Sequence, residues 1–424
     1  MKRLMTMTAV GAALLAVEAF GGIRALDHSS YYDGDPNVGP LRRHNEKMNV
    51  VTNGGAKVVF VGDSITHFWE TAGKVQLKRY FSKGDCRMLN LGISGERTEH
   101  ILWRLNEGGE LDGYEAKVVL LMIGTNNTGH FPVEKEPPGD TILGIREILR
   151  TIRAKQPDAM IVLTAIFPRG RDAGDPCRVR NEVVNKEIQK FADGTTVFWC
   201  DFNAQFLTPD GRLSTEVFPD LLHPGARGYE IWHSAVKPYV DAALSDGRLP
   251  APANRYAPNQ SPEGVRIDQR LATYPLARGE DWWLDRLLRN RNQIADAKGE
   301  IDVVLLGDDR LQNGVGEGKV SVAELRKFYS VLDAGYFADR TEHLLWRIKF
   351  GGELDGYKAK AVVLSIGENN VVQRKDAAAD VDAAVREILA LIAAKQPQAK
   401  VVFKPTGPLQ PLLKEICGGA RTSL

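Results

Sequence analysis

KVVFVGDSIT, Lys57 to Thr66, runs from a stretch of β-branched and aromatic residues into a glycine and two small polar residues. That is the pattern of a buried strand that turns tightly into a helix. Four further short apolar runs follow: Met88 to Leu91, Val118 to Ile123, Met160 to Thr164 and Thr196 to Cys200. Together with Lys57 to Val61 they predict five buried strands. Between and after them, Asp140 to Lys155, Asp175 to Phe191 and Ala226 to Leu244 have helical spacing. Strands alternating with helices predict an α/β domain with a parallel sheet covered on both faces, a flavodoxin-like three-layer arrangement. Sheets of this kind carry their sites beyond the strand C-termini, which is where Ser64 falls.

Three other strand ends or loops carry residues with chemical potential. Gly95, in LGISGE (Leu91 to Glu96), could offer an unobstructed backbone N–H to a carbonyl oxygen. Asn126, in GTNN (Gly124 to Asn127), could donate to the same oxygen from its side chain. In DLLHP (Asp220 to Pro224), Asp220 stands three residues before His223, so its carboxylate can accept the imidazole Nδ1–H and leave Nε2 free for a serine proton. Each motif alone has a plainer explanation: a helix N-cap, a turn glycine, an Asx turn, a structural histidine. Serine is a poor nucleophile without a base beside it, so the four make chemical sense only together.

In this order, GDSI, LGISGE, GTNN and DLLHP resemble the blocks of the SGNH (GDSL-like) hydrolases, named for their Ser, Gly, Asn and His. NLGISGERTEHILWRL, GTNN and IFPRG (Ile166 to Gly170) look like the platelet-activating-factor acetylhydrolase catalytic-subunit branch and its bacterial relatives. The resemblance implies a serine esterase with Ser64 as nucleophile, His223 as general base and Asp220 as its partner. It also implies an oxyanion hole formed by the Ser64 N–H, the Gly95 N–H and the Asn126 side chain. No cofactor and no metal are expected; His67, His130 and His233 form no tight cluster with carboxylates in sequence.

The chain contains a long internal repeat. RTEHILWRLNEGGELDGYEAKVVLLMIGTNN (Arg97 to Asn127) returns 243 residues later as RTEHLLWRIKFGGELDGYKAKAVVLSIGENN (Arg340 to Asn370). The match extends upstream, where KVVFVGDSIT is echoed by DVVLLGDDRL, and downstream, where AKQPDAMIVL is echoed by AKQPQAKVVF. The expected organisation is a catalytic domain over 41–246, a Pro- and Arg-rich linker over 249–279, and a truncated, degenerate copy over 280–424. In that copy Ser64 becomes Asp309 and Gly95 becomes Ala338, Asn126 survives as Asn369, and nothing answers Asp220 or His223. His100, Trp103 and Arg104 recur as His343, Trp346 and Arg347 where the nucleophile is lost, so they read as scaffold. The shortened copy lacks a final strand and helix, and docking on the first copy is the expected cover for its sheet edge.

Composition is that of an ordinary globular chain: 424 residues, 43% hydrophobic and 26% charged. Lys plus Arg total 55 against 54 for Asp plus Glu, with the signs interspersed, which excludes a nucleic-acid footprint and favours a small or neutral substrate; the family resemblance implies that this partner is a small-molecule or glycan acetyl ester. Met1-Lys2-Arg3, the apolar run Leu4 to Phe20 and the small residues before Ala25 predict a signal peptide over 1–25, hence a secreted or periplasmic protein. The alternative is an uncleaved anchor, with Glu18 late in the run; no later stretch is apolar enough to span a membrane. Cys86, Cys177, Cys200 and Cys417 show no CxxC pair, and both free thiols and a disulfide fit their spacing.

Overall fold

A computed structural model describes residues 39–133, 135–245, 271–278, 280–312, 322–403 and 422–423. The predicted signal peptide, most of the linker and Cys417 lie outside the described residues. Among those described, Cys86, Cys177 and Cys200 are free thiols, and no helix is long and apolar enough to cross a membrane.

The first half holds five parallel strands: β1 (Val58–Gly62), β2 (Met88–Gly92), β3 (Val118–Met122), β4 (Met160–Thr164) and β5 (Val197–Cys200), in the order β2-β1-β3-β4-β5. Each falls within about a residue of its sequence expectation, because a fully buried strand must be apolar on both faces and so reads as a continuous run. Alternation along β1 divides the core. Val59 and Val61 point into one apolar cluster, against Ile142, Ile145 and Ile148 of helix Pro138–Lys155. Val58 and Phe60 point into the other, against Trp69 and against Trp232 of helix Ala226–Ser245. Helices therefore cover both faces, giving the three layers.

The second half repeats the arrangement with β6 (Val303–Gly307), β7 (Val331–Gly335), β8 (Ala361–Ser365), β9 (Lys400–Phe403) and β10 (Thr422–Ser423), ordered β7-β6-β8-β9-β10. Strand for strand, this is the order of the first sheet, as a second copy would have it.

The sheet edge is treated differently from expectation. β9 pairs in parallel with the two-residue β10, so the covering at that edge comes from Thr422 and Ser423 of the same half. Docking between the halves instead runs through the helix layers. Trp283, Leu284 and Leu287 of helix Asp281–Asp296, with Tyr336 and Trp346, belong to the same apolar cluster as helix Pro138–Lys155. Within this contact the Arg291 guanidinium holds the Asp140 carboxylate by two hydrogen bonds of 2.8 Å, both side chains wholly buried, and the Gly139 N–H donates to the Phe350 carbonyl at 2.7 Å.

Candidate active site

β1 ends at Gly62, where a side chain has no room: a Cβ would lie 2.4 Å from the Met122 carbonyl oxygen. Asp63 then caps the single turn Ser64–His67, accepting the Ile65 N–H at 2.9 Å. Asp63 is wholly buried, and burial raises its carboxyl to about 7. This geometry sets Ser64, only 6% exposed, at the carboxyl edge of the sheet.

The loop before helix Ala226–Ser245 brings the other groups to it. Ser64 Oγ lies 2.9 Å from His223 Nε2, and His223 Nδ1 lies 2.7 Å from Asp220 Oδ2. The other carboxylate oxygen, Asp220 Oδ1, accepts the N–H groups of His223 at 2.7 Å and Leu222 at 3.0 Å. Leu221 makes this tight loop possible by adopting φ 59°, a conformation costly for a leucine. Partial burial raises the Asp220 carboxyl, but the hydrogen bonds from His223 and Leu222 outweigh it and the net shift is downward. A carboxylate at Asp220 fixes the proton on Nδ1, which leaves Nε2 as the acceptor facing Ser64. The Phe68 ring packs 5.0 Å from the imidazole and limits its swing.

Asn126, also 6% exposed, donates from Nδ2 to the Glu96 carbonyl at 2.7 Å, which aims the amide across the turn that contains Gly95. Gly95 has φ 80°, and a Cβ there would meet open space, so glycine is required for the backbone conformation rather than for room. Behind the turn, the Glu96 carboxylate is held by Arg104 at 2.6 Å; Arg104 also binds Glu110, and Glu110 accepts His44 Nδ1 at 2.7 Å. His100 Nδ1 accepts the Arg97 N–H at 3.2 Å and caps its helix. Both residues thus act as scaffold, and the second half repeats the device with Arg347 on Asp339 at 3.0 Å and His343 on the Arg340 N–H at 3.1 Å. Of the other histidines, His67 bonds Ser94 and His233 stacks on Tyr80, in separate surroundings.

At the end of β6 the equivalent place is filled from within. Asp309 Oδ1 accepts the Ala338 N–H at 3.2 Å and Asn369 Nδ2 at 3.0 Å, while Arg310 pairs with Glu368 beside it. Ala338 keeps the left-handed backbone of Gly95, at φ 54°.

Residues 60–231, which carry this whole constellation, match the GDSL-like Lipase/Acylhydrolase family model. Subunit alpha1 of human platelet-activating factor acetylhydrolase IB is 33% identical over 174 residues, 41% of this chain and 70% of that subunit. The rat alpha2 subunit is 32% identical over 194 residues, 45% of this chain and 78% of its own length. The chain belongs to the GDSL-like lipase/acylhydrolase family. Solved structures similar to part of the chain include a putative platelet activating factor from Streptococcus pneumoniae, at 20% identity and TM-score 0.39, covering 47% of this chain and 91% of that one. An acetylxylan esterase from Geobacillus stearothermophilus is similar at 21% identity and TM-score 0.36, covering 44% and 94%.

Sequence reasoning placed the motifs of this GDSL-like acylhydrolase but missed the arginine that braces its glycine turn. Arg43, on helix Gly39–Thr52, donates to the Gly92 carbonyl at 2.6 Å and the Asn90 carbonyl at 3.3 Å, and pairs with Glu70. Its signal lay in the repeat: Arg286, 243 residues on, donates to the Asp333 carbonyl at 3.2 Å, the counterpart of Asn90.

Proposed function

We propose that this acylhydrolase is an exported serine esterase that removes short acyl groups, acetyl above all, from carbohydrate esters. The observation that carries the mechanism is the relay from Ser64 Oγ to His223 Nε2 at 2.9 Å and from His223 Nδ1 to Asp220 Oδ2 at 2.7 Å. Ser64 Oγ attacks the ester carbonyl carbon as its proton passes to His223 Nε2, and the imidazolium is stabilised by the Asp220 carboxylate. The protonated imidazole then gives that proton to the leaving alkoxide. Water, activated by the same nitrogen, attacks the acyl-enzyme and releases the acid. The Ser64 N–H, the Gly95 N–H and the second hydrogen of Asn126 Nδ2 receive the developing oxyanion.

Residues 41–246 are the catalytic domain in this reading, and 280–424 a degenerate copy with Asp309 in the nucleophile's place. Met1 to Ala25 support export. The near-equal charge count supports a neutral substrate. A second reading, a phospholipid acetyl ester, is favoured by the 33% identity to the human acetylhydrolase subunit.

The test is acetate release from p-nitrophenyl acetate, an acetylated-sugar panel and a short-chain acetyl phospholipid, by the native protein and Ser64→Ala. Release from sugars that vanishes in Ser64→Ala and under a serine-directed fluorophosphonate is expected. Release unchanged by the substitution would overturn the assignment of Ser64; release from the phospholipid alone would replace the substrate. No turnover by either protein would leave a noncatalytic binding protein.

A further inference from the structure

A cleft of about 250 Å³, partly open to solvent, lies between the start of helix Gly39–Thr52, His67 and the turn Ile93–Ser94. It adjoins the reacting centre along the chain on both walls. Ser94 precedes Gly95, and His67 is one helical turn beyond Ser64, with its Nδ1 2.9 Å from Ser94 Oγ.

The charged groups here are held in ion pairs. Arg43 and Lys47 are both taken up by Glu70, at 2.9 and 2.8 Å, and Arg42 faces Glu46 at 3.6 Å. Burial, with the nearby Arg43 charge, lowers His67 to about 4, so its ring is neutral at neutral pH. The cleft therefore presents paired charged groups and a neutral imidazole as donors and acceptors, next to the apolar surfaces of Pro40 and Ile93. That mixture of donors, acceptors and apolar surface suits a polyhydroxylated group.

The other half provides the contrast. The paired contacts of Arg43 and Arg286 with the carbonyls of Asn90 and Asp333 put the two helices in register. In that register Gly39, Pro40 and Ser94 stand where the second half has Trp282, Trp283 and Phe337. Trp283 is fully buried, its indole N–H bonded to Asp339 at 2.8 Å. Small residues stand here in the half with the intact relay, and in the other half large aromatics take the same positions, Trp283 buried and Trp282 and Phe337 exposed.

We infer that the cleft bounded by Arg42, Glu46, His67 and Ser94 is a subsite for the sugar portion of the ester. The inference rests on the carbohydrate reading of the function and names where in the chain that preference arises.

Two variants test it: Ser94→Phe, which imports the second-half residue, and Arg42→Ala, at a side chain 64% exposed whose loss leaves the core untouched. The ratio of kcat/KM on acetylated xylotriose to that on p-nitrophenyl acetate should fall about tenfold in Ser94→Phe and about threefold in Arg42→Ala, mostly through KM. Binding of unacetylated xylotriose to the Ser64→Ala protein, followed by calorimetry, should be lost when Ser94→Phe is added. An unchanged ratio in both variants, with xylotriose binding intact, would overturn the subsite. If the native protein hydrolyses no ester, the esterase reading fails; xylotriose binding abolished by Ser94→Phe would still uphold the subsite, and no binding would overturn it as well.

Discussion

At the end of β1, residue 64 is a serine facing an imidazole; at the end of β6, residue 309 is an aspartate whose Oδ1 takes hydrogens from the Ala338 N–H and Asn369 Nδ2. The supports around the two are alike. Asn126 is aimed by the Glu96 carbonyl, Asn369 by the Asp339 carbonyl at 3.0 Å; Arg104 and Arg347 clamp the carboxylates behind the turn. What differs is the reach and charge of one side chain. A carboxylate is long enough to place its own anionic oxygen against the donors, whereas a serine hydroxyl leaves them for a substrate. The donor geometry is therefore a property of the scaffold that survives without a nucleophile, and in the second half it has become an internal anion site.

This comparison breaks most directly with Ser64→Asp, which gives the first half the residue of the second. Hydrolysis of p-nitrophenyl acetate should drop by about 10⁴ or more, while the thermal midpoint holds or rises as the new carboxylate finds the donors. A fall in midpoint would mean that the two donor sets differ after all. Arg291→Met should cost about 3–5 kcal/mol in urea unfolding, since it strands the Asp140 carboxylate in the shared core. Asn126→Ala should lower kcat by about 10² to 10³, and Asn369→Ala should leave kcat unchanged, a pair of assays that separates the donor in use from its counterpart.

The smallest effect is electrostatic and common to both halves. Burial raises Asp63 to about 7 and Asp308 to about 6. The folded state then holds protons that the unfolded chain has released, so this contribution to stability is full below about pH 4 and is lost as pH rises through the folded value. Asp63→Asn and Asp308→Asn should each flatten the stability profile between about pH 4 and 7 in unfolding titrations. A flattening in one variant alone would show that the two strand ends are not equivalent.

The fold was legible because its strands are buried on both faces: Val118 to Met122 and Met160 to Thr164 leave no other reading in a chain that alternates with helices. Ser64, Asp220 and His223 were legible as motifs; that the loop carries His223 across 159 residues to within 2.9 Å of Ser64 is a tertiary fact. Asp309 was seen as a lost nucleophile but not as a filled pocket, because its contacts with Ala338 and Asn369 span 29 and 60 residues. The sheet edge was misjudged for the same reason: pairing of Thr422–Ser423 with β9 leaves no periodic trace in so short a segment.

The join between the halves has a consequence for how the chain can be divided. Asp140 belongs to the half with the relay, yet the cation that answers it, Arg291, belongs to the half without one, and water reaches neither. Severing the chain after Ser245 would leave that carboxylate facing the bared apolar patch that Trp283 and Leu287 now cover. The second half thus supplies a buried counterion to the first, and its persistence can be upheld by the solubility of its neighbour, with no chemistry of its own required.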